Sequence, residues 1–229
     1  MNYDQFLSLY THMPAYSTHE TKYNSFCMGK YINDNNIPGA VIECGVAAGA
    51  NLACMMLGCS NIKTVTKRTY WGFDSYQGIQ LAGKKDTCQP GIGAIPHNTD
   101  VSDDELLISS GITVHSKASV IEFLTQYGLY NEKYVKLVEG WVQETVTADI
   151  IKEIGQIAIL RLDMDIYAPT KFILDKLYPL ISEGGVIIVD DWALDGAKLA
   201  CTEYFEEHNL SPEILKVPNS TPTYFYKHS

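Results

Sequence analysis

The sequence predicts an α/β fold, a mostly parallel sheet with helices on both faces. Three observations point to it. Short β-branched and apolar runs alternate with helical stretches of about 10–15 residues, the pattern of βαβ units. Two of those runs, Ile157–Leu160 and Val186–Val189, are apolar without alternation, as strands covered on both faces must be. The chain has 229 residues, 46% hydrophobic and 19% charged, which suits one α/β domain with a large core and excludes a disordered chain.

Residues 3–36 are rich in Tyr, His, Asn and Ser with weak helical spacing, and read as one or two helices stopped by Pro38-Gly39. Residues 1–38 are therefore expected to form a helical extension or lid, ahead of a main domain over 39–229. Ala40–Val46 reads as a strand, Gly49–Leu57 as a helix and Thr69–Asp74 as a second strand. Residues 77–103 hold Gly and Pro breakers among polar residues and read as a long loop. Ser119–Tyr127 is helical, Val135–Glu139 is a strand and Ala148–Ile154 a helix. Ile157–Leu162 is a buried strand, Thr170–Ile181 an amphipathic helix, Val186–Val189 a strand and Gly196–His208 a helix. Glu213–Val217 and Thr223–Tyr226 are strand-like, which makes a seven-stranded sheet.

Lys and Arg number 17 against 27 Asp and Glu, a net charge of −10. Such a surface repels phosphate backbones and anionic lipid, so nucleic acid and membrane are excluded as partners. The densest basic spots, Lys67-Arg68 and Lys84-Lys85, make no patch. The 6 cysteines (Cys27, Cys44, Cys54, Cys59, Cys88, Cys201) form no C-x-x-C pair and sit mostly in apolar runs. They read as free, buried thiols in a reducing compartment, and with no secretory leader or apolar span in view the expected location is cytoplasmic. The Tyr-rich segment 3–31 is read as core packing, with a lid or homodimer surface as the alternative.

In a parallel sheet, ligands bind beyond the carboxyl ends of the strands. Acids collect there: Glu43, Asp74, Glu139, Asp163 with Asp165, and Asp190 with Asp191. The first constellation, Glu43-Cys44-Gly45-Val46-Ala47-Ala48-Gly49, is a strand running through glycines into a helix, which lets backbone N–H groups approach a ligand. Ala47 stands where a dinucleotide fingerprint would place its second glycine, and Glu43 precedes the loop, so a cationic or zwitterionic ligand suits it better than a pyrophosphate. The second, Trp71-Gly72-Phe73-Asp74-Ser75, puts an acid where a ribose diol is gripped, or where an Asx turn ends the strand. The third is Arg161-Leu162-Asp163-Met164-Asp165 followed one strand later by Asp190-Asp191. On neighbouring strands these carboxylates would share a crevice and repel one another unless a cation intervened, and oxygen-only ligands favour Mg²⁺, Mn²⁺ or Ca²⁺. The plainer alternative is that they cap a helix and turn the chain.

Glu43-Cys44-Gly45-Val46 with Gly49, Gly72-Phe73-Asp74-Ser75-Tyr76 with Gly78, Glu139-Gly140-Trp141 with Glu144-Thr145, Leu160–Asp165 with Tyr167, and Ile187–Asp191 together resemble, in order, the macrocin O-methyltransferase family over about residues 40–208. The resemblance implies a Rossmann-like class I methyltransferase fold, S-adenosylmethionine as methyl donor, a divalent metal and a sugar hydroxyl as acceptor. It agrees with the loop chemistry, because S-adenosylmethionine is cationic at sulfur and carries a ribose but no phosphate. It further implies that Glu43 and Gly45, with Val46 and Gly49, line the methionine-end loop, that Asp74 flanked by Ser75 holds the ribose, and that Gly140-Trp141 lie at the adenine. Asp163, Asp190 and Asp191 would hold the metal, Asp163 also bordering the cofactor and the chemistry, and Asp165 would be the general base. His97 and His115 are alternative bases. The chain departs from the family at Ala47 and Ala48, where bulky and basic residues are usual, and at Met164, often glycine.

Three other readings stand against this one: a nicotinamide oxidoreductase, a catechol-type phenol methyltransferase and a non-catalytic S-adenosylmethionine-binding module. Ala47 and the strand-end acids argue against the first, and the presence of all four acids at 163, 165, 190 and 191 argues against the last.

Overall fold

A computed structural model describes residues 1–60, 68–86, 95 and 107–228. The elements are α1 Tyr3–Tyr10, α2 His19–Asp34, β1 Ala40–Cys44, α3 Ala50–Cys59, β2 Tyr70–Asp74, α4 Lys117–Gln126, β3 Val135–Glu139 and α5 Val142–Thr145. They continue with α6 Ala148–Ile154, β4 Ile157–Leu162, α7 Tyr167–Leu177, β5 Ile181–Val189, α8 Asp195–Glu207, β6 Leu215–Lys216 and β7 Thr223–Tyr226. The strands form one 7-stranded sheet in the order β3-β2-β1-β4-β5-β7-β6. β1 to β5 pair in parallel, and β7 and β6 close the β5 edge antiparallel.

The pleat divides the core. Val41, Ile159 and Ile188 pack on one face against α2, α3 and α4, while their neighbours Ile42, Leu160 and Ile187 pack on the other against α7 and α8. Both faces are buried, which is why β1 and β4 carry no exposed position. The chain leaves β1 toward β2 on one side and later returns to β4 on the other. A crevice therefore opens above the carboxyl ends of β1 and β4, where the order reverses.

Elements differ from expectation where local signals conflict. The helix expected over Thr170–Ile181 ends at Leu177, because Pro179 forces a single 3-10 turn before the chain enters β5 at Ile181. β5 begins five residues earlier than the apolar run, since Gly184 takes φ +73 and the β4 register shifts to absorb it. Helix α5 is a single turn with no capping side chain and left no periodic signal. Of the expected loop 77–103, residues 77–86 and 95 are described, and Gln80 makes an isolated antiparallel bridge to Ser109. Cys27, Cys44, Cys54, Cys59 and Cys201 are free, and burial pushes the Cys54 and Cys201 thiols up to about 12; Cys88 lies outside the described residues. No described helix is long and apolar enough to cross a membrane.

Helix α2 lies directly on α3, and glycines set the spacing. A Cβ on Gly29 would sit 2.2 Å from the Met55 carbonyl oxygen, and one on Gly58 would sit 2.1 Å from that of Phe26. A single added methyl must push the helices apart. Gly29→Ala is expected to lower unfolding free energy by about 1–3 kcal/mol, read as a reduced urea midpoint at unchanged slope. An unchanged midpoint would show that the helices separate without strain.

Candidate active site

The site grows from three strand ends that interlock through backbone bonds. Gly45 N–H donates to the Phe73 carbonyl at 2.8 Å, Asp163 N–H to Cys44 at 2.9 Å and Asp190 N–H to Leu162 at 2.9 Å. Gly45 takes φ +89 so close to β4 that a Cβ there would fall 1.7 Å from the Asp163 carbonyl oxygen. No other residue fits this position.

After Gly45 the loop turns through Ala47, which holds φ +45 without being glycine. What stabilises that strained turn is Asp74. Its Oδ2 accepts from the Val46 and Ala47 N–H groups, each at 2.8 Å, while Oδ1 accepts from Tyr76 N–H at 2.6 Å. Asp74 is thus an Asx turn that also faces the cleft. The loop's N–H groups form a small anion nest, and the protein's own carboxylate already fills it. A pyrophosphate has no such place here, which counts against the nicotinamide reading.

The second half of the site is organised by Arg161, fully buried in β4. Its Nε donates to Glu43 Oε1 at 3.0 Å, in register across β1, and its Nη2 donates to Asp163 Oδ2 at 3.0 Å and to Asp190 Oδ1. Glu43, 1% exposed, does not line the methionine-end loop as expected but lies beneath it as the partner of Arg161. The acids are therefore not an uncompensated cluster awaiting an external cation: one guanidinium already joins three of them. Strand alternation carried that signal, since residues 161 and 163 share a face.

Asp163, Asp190 and Asp191 each present a carboxylate oxygen within 4.8 Å of the others. Asp163 and Asp190 spend one oxygen each on Arg161, and Asp191 Oδ2 accepts from Asp165 N–H at 2.8 Å. Each keeps a second oxygen with no bond among the described residues. Three carboxylates gathered this closely form an all-oxygen donor set of the kind that suits a hard divalent cation. Removal from bulk water, then the Asp190 charge, pushes Asp163 up to about 7, although Arg161 opposes it. Asp165 and Asp191 also lie well above the usual carboxylate range, first through burial and then through neighbouring charge, that of Asp163 on Asp165 and that of Asp165 on Asp191. Asp165 sits at φ +62, the left-handed turn that carries its N–H to Asp191.

These residues line a single cleft of about 600 Å³: Gly45, Val46, Gly49, Asp74, Ser75, Trp141, Asp163, Asp165, Asp190 and Asp191. Ser75 shapes its loop by donating to the Gly78 carbonyl at 2.9 Å. Gly140 stands behind Trp141, at φ +129, with its N–H on the Asp74 carbonyl at 2.9 Å. His97 lies outside the described residues, and His115 meets the ring of Tyr16 edge-on at 5.6 Å. The sequence reading missed the opposite wall, which comes from both ends of the chain. Ser17, Thr18 and Thr21 face Ser220 and Thr221 there, with Thr18 Oγ1 and Thr21 Oγ1 at 2.9 and 2.7 Å from Ser220 Oγ. No local pattern announces a contact between residues so distant in sequence.

A parallel sheet with this strand order, a glycine loop after β1 and acids ending β2, β4 and β5 defines a class I S-adenosylmethionine-dependent O-methyltransferase. The chain belongs to the macrocin O-methyltransferase (TylF) family, which it matches over residues 25–227. It is 30% identical over 193 residues to mycinamicin III 3''-O-methyltransferase of Micromonospora griseorubida, covering 83% of this chain and 69% of that one. It is 27% identical over 204 residues to 8-demethyl-8-(2,3-dimethoxy-alpha-L-rhamnosyl)-tetracenomycin-C 4'-O-methyltransferase of Streptomyces olivaceus, covering 89% and 71%. The solved structure of the O-methyltransferase NovP superimposes with a TM-score of 0.73 at 28% identity, over 92% of this chain and 81% of the other.

Two outcomes follow from the charge arrangement. Arg161→Met strands Glu43 beside two aspartates and is expected to cost about 3–5 kcal/mol of stability, measured by urea unfolding. Stability in chelator should also depend on pH. Burial raises Glu43 from 4.5 to about 8 and Asp163 from 3.8 to about 7, so the native site keeps protons that the unfolded chain has lost. Native protons in excess mean stability falls as pH climbs. The expected result is a lower urea midpoint at about pH 8 than at about pH 5, and the reverse order would contradict the shifts.

Proposed function

We propose that the protein methylates a hydroxyl of a sugar on a glycosylated natural product, with Asp163, Asp190 and Asp191 holding Mg²⁺, or Mn²⁺ or Ca²⁺ in its place. The observation that carries this reading is the group of three carboxylates beside Asp165, in the same cleft as the glycine loop. The acceptor wall supports a sugar over a phenol, because Ser17, Thr18, Thr21, Ser220 and Thr221 offer hydroxyls where a flat aromatic acceptor would want apolar faces. The named activities of the relatives support it too, one of them specified on a rhamnosyl group.

S-adenosylmethionine supplies an electrophilic methyl, and a bound divalent cation supplies charge that lowers the pKa of an acceptor hydroxyl. The chain's own residues supply placement and proton handling. The Gly45–Gly49 loop brings backbone against the donor, Asp74 and Ser75 border its ribose, and Trp141 borders its base. Asp165, turned into the cleft beside Asp163 with no side-chain bond among the described residues, takes the hydroxyl proton. Arg161 holds Asp163 and Asp190 in their ligating positions from beneath.

Asp165→Asn is expected to lower kcat by about 10²–10⁴-fold while S-adenosylhomocysteine binding, measured by calorimetry, stays within about twofold. Activity should vanish in excess chelator and return with Mg²⁺. Full activity after exhaustive chelation, or normal methylation by Asp163→Ala, would overturn the assignment.

A further inference from the structure

Gln80 is 4% exposed and lines the cleft, yet its Nε2 has no hydrogen-bond partner. Its Oε1 accepts from Gln143 Nε2 at 2.9 Å, and Gln143 Oε1 is likewise buried and unmet. Turning both amides over leaves the same balance, one unsatisfied donor and one unsatisfied acceptor on the pair. Buried polar atoms are rarely left in this condition, because an unmet group forfeits its hydration for nothing. The pair is also held firmly. Gln80 bridges Ser109, the flanking Leu81 N–H donates to Ile108 at 2.9 Å, and Gln143 sits in the turn of α5 just after Trp141.

Position decides which ligand end meets it. Along the sheet edge the order is β3, β2, β1, β4, β5, so Trp141 after β3, with Gln143 two residues on and Gln80 bonded to it, lies to one side of the glycine loop, and the aspartates after β4 and β5 to the other. Each strand step is about 4.8 Å, so the two sides are separated by the length of a nucleoside rather than of a methyl group. Trp141 and Val142, next to Gln143 in the chain, give this side apolar walls suited to a flat ring. Adenine presents an acceptor, N1, beside a donor, the N6 amine, on one edge, which is the complement of what the glutamine pair leaves open.

Resting on the cofactor reading above, we propose that Gln80 reads the donor's adenine by donating its Nε2–H to N1, with Gln143 as the positioning residue that turns the amide nitrogen toward the cleft. Neither residue belongs to the motifs that carried the family resemblance.

The test is a cycle between one ligand atom and one side chain. Calorimetry on the full chain compares S-adenosylhomocysteine with its 1-deaza analogue, which lacks N1, in the wild type and in Gln80→Met. Loss of N1 is expected to weaken wild-type binding by about tenfold and Gln80→Met binding by less than about twofold. A purely structural role for Gln80 would weaken both ligands equally, so an unchanged ratio between the two proteins overturns the proposal. Equal affinity of the wild type for both ligands overturns it without any variant. Failure of the wild type to bind S-adenosylhomocysteine at all would instead remove the cofactor reading on which it rests.

Discussion

Arg161 is the constraint around which the site is arranged. A guanidinium fully withdrawn from water is tolerable only if it is well paired, and here three carboxylates, on β1, at the end of its own strand β4 and at the end of β5, meet its Nε and Nη2. Glu43 pairs with Arg161 beneath the loop, while Asp163 and Asp190 pair with it and also turn a face to the cleft. The same guanidinium thus sets the distance between two aspartates on adjacent loops and keeps part of their charge neutralised while the third, Asp191, is held by the Asp165 backbone. Because Nη1 of Arg161 and Oε2 of Glu43 remain unmet, the network is not at its electrostatic optimum. Positioning of the cleft acids, rather than stability, is what the arrangement favours.

A second economy appears at Asp74. Glycine loops in α/β folds commonly leave their N–H groups for a ligand's phosphates. Here the Val46 and Ala47 N–H groups are taken by Asp74, which also closes its own Asx turn through Tyr76. One carboxylate therefore ends a strand, supports a left-handed alanine and reverses the electrostatic character of the loop from anion-seeking to cation-tolerant. That inversion suits a sulfonium donor.

Much of this was legible in the residues. Strand ends are readable because acids and glycines interrupt apolar runs there, so Asp74, Asp163, Asp165, Asp190 and Asp191 stood out and all reach the cleft. β3, α6 and β4 begin and end at the expected residues, since Gly140, Thr147, Gly155 and Asp163 punctuate them sharply. Illegible features share one property, dependence on distant partners. Glu43 looked like a loop acid because its register opposite Arg161 exists only once β1 and β4 pair. Gln80 and Gln143 carried no signal, being unremarkable amides until burial leaves half of each unsatisfied. The early part of β5 was hidden because Glu183-Gly184-Gly185 interrupts the apolar run, and its partners are distant: Ile181 pairs with Ile157, and Gly184 and Gly185 bond Lys227.

The hydroxyl contacts of Thr18 and Thr21 with Ser220 tie one end of the chain to the other. They close a loop of about 200 residues, and Ser220 lies between β6 and β7, the last strands to join the sheet in sequence order. A closure of that length costs more chain entropy than a local turn, although the cost grows only with the logarithm of the loop length. This wall of the cleft therefore joins the two ends of the chain, whereas the glycine loop and its Asp74 clasp are made of residues fewer than thirty apart.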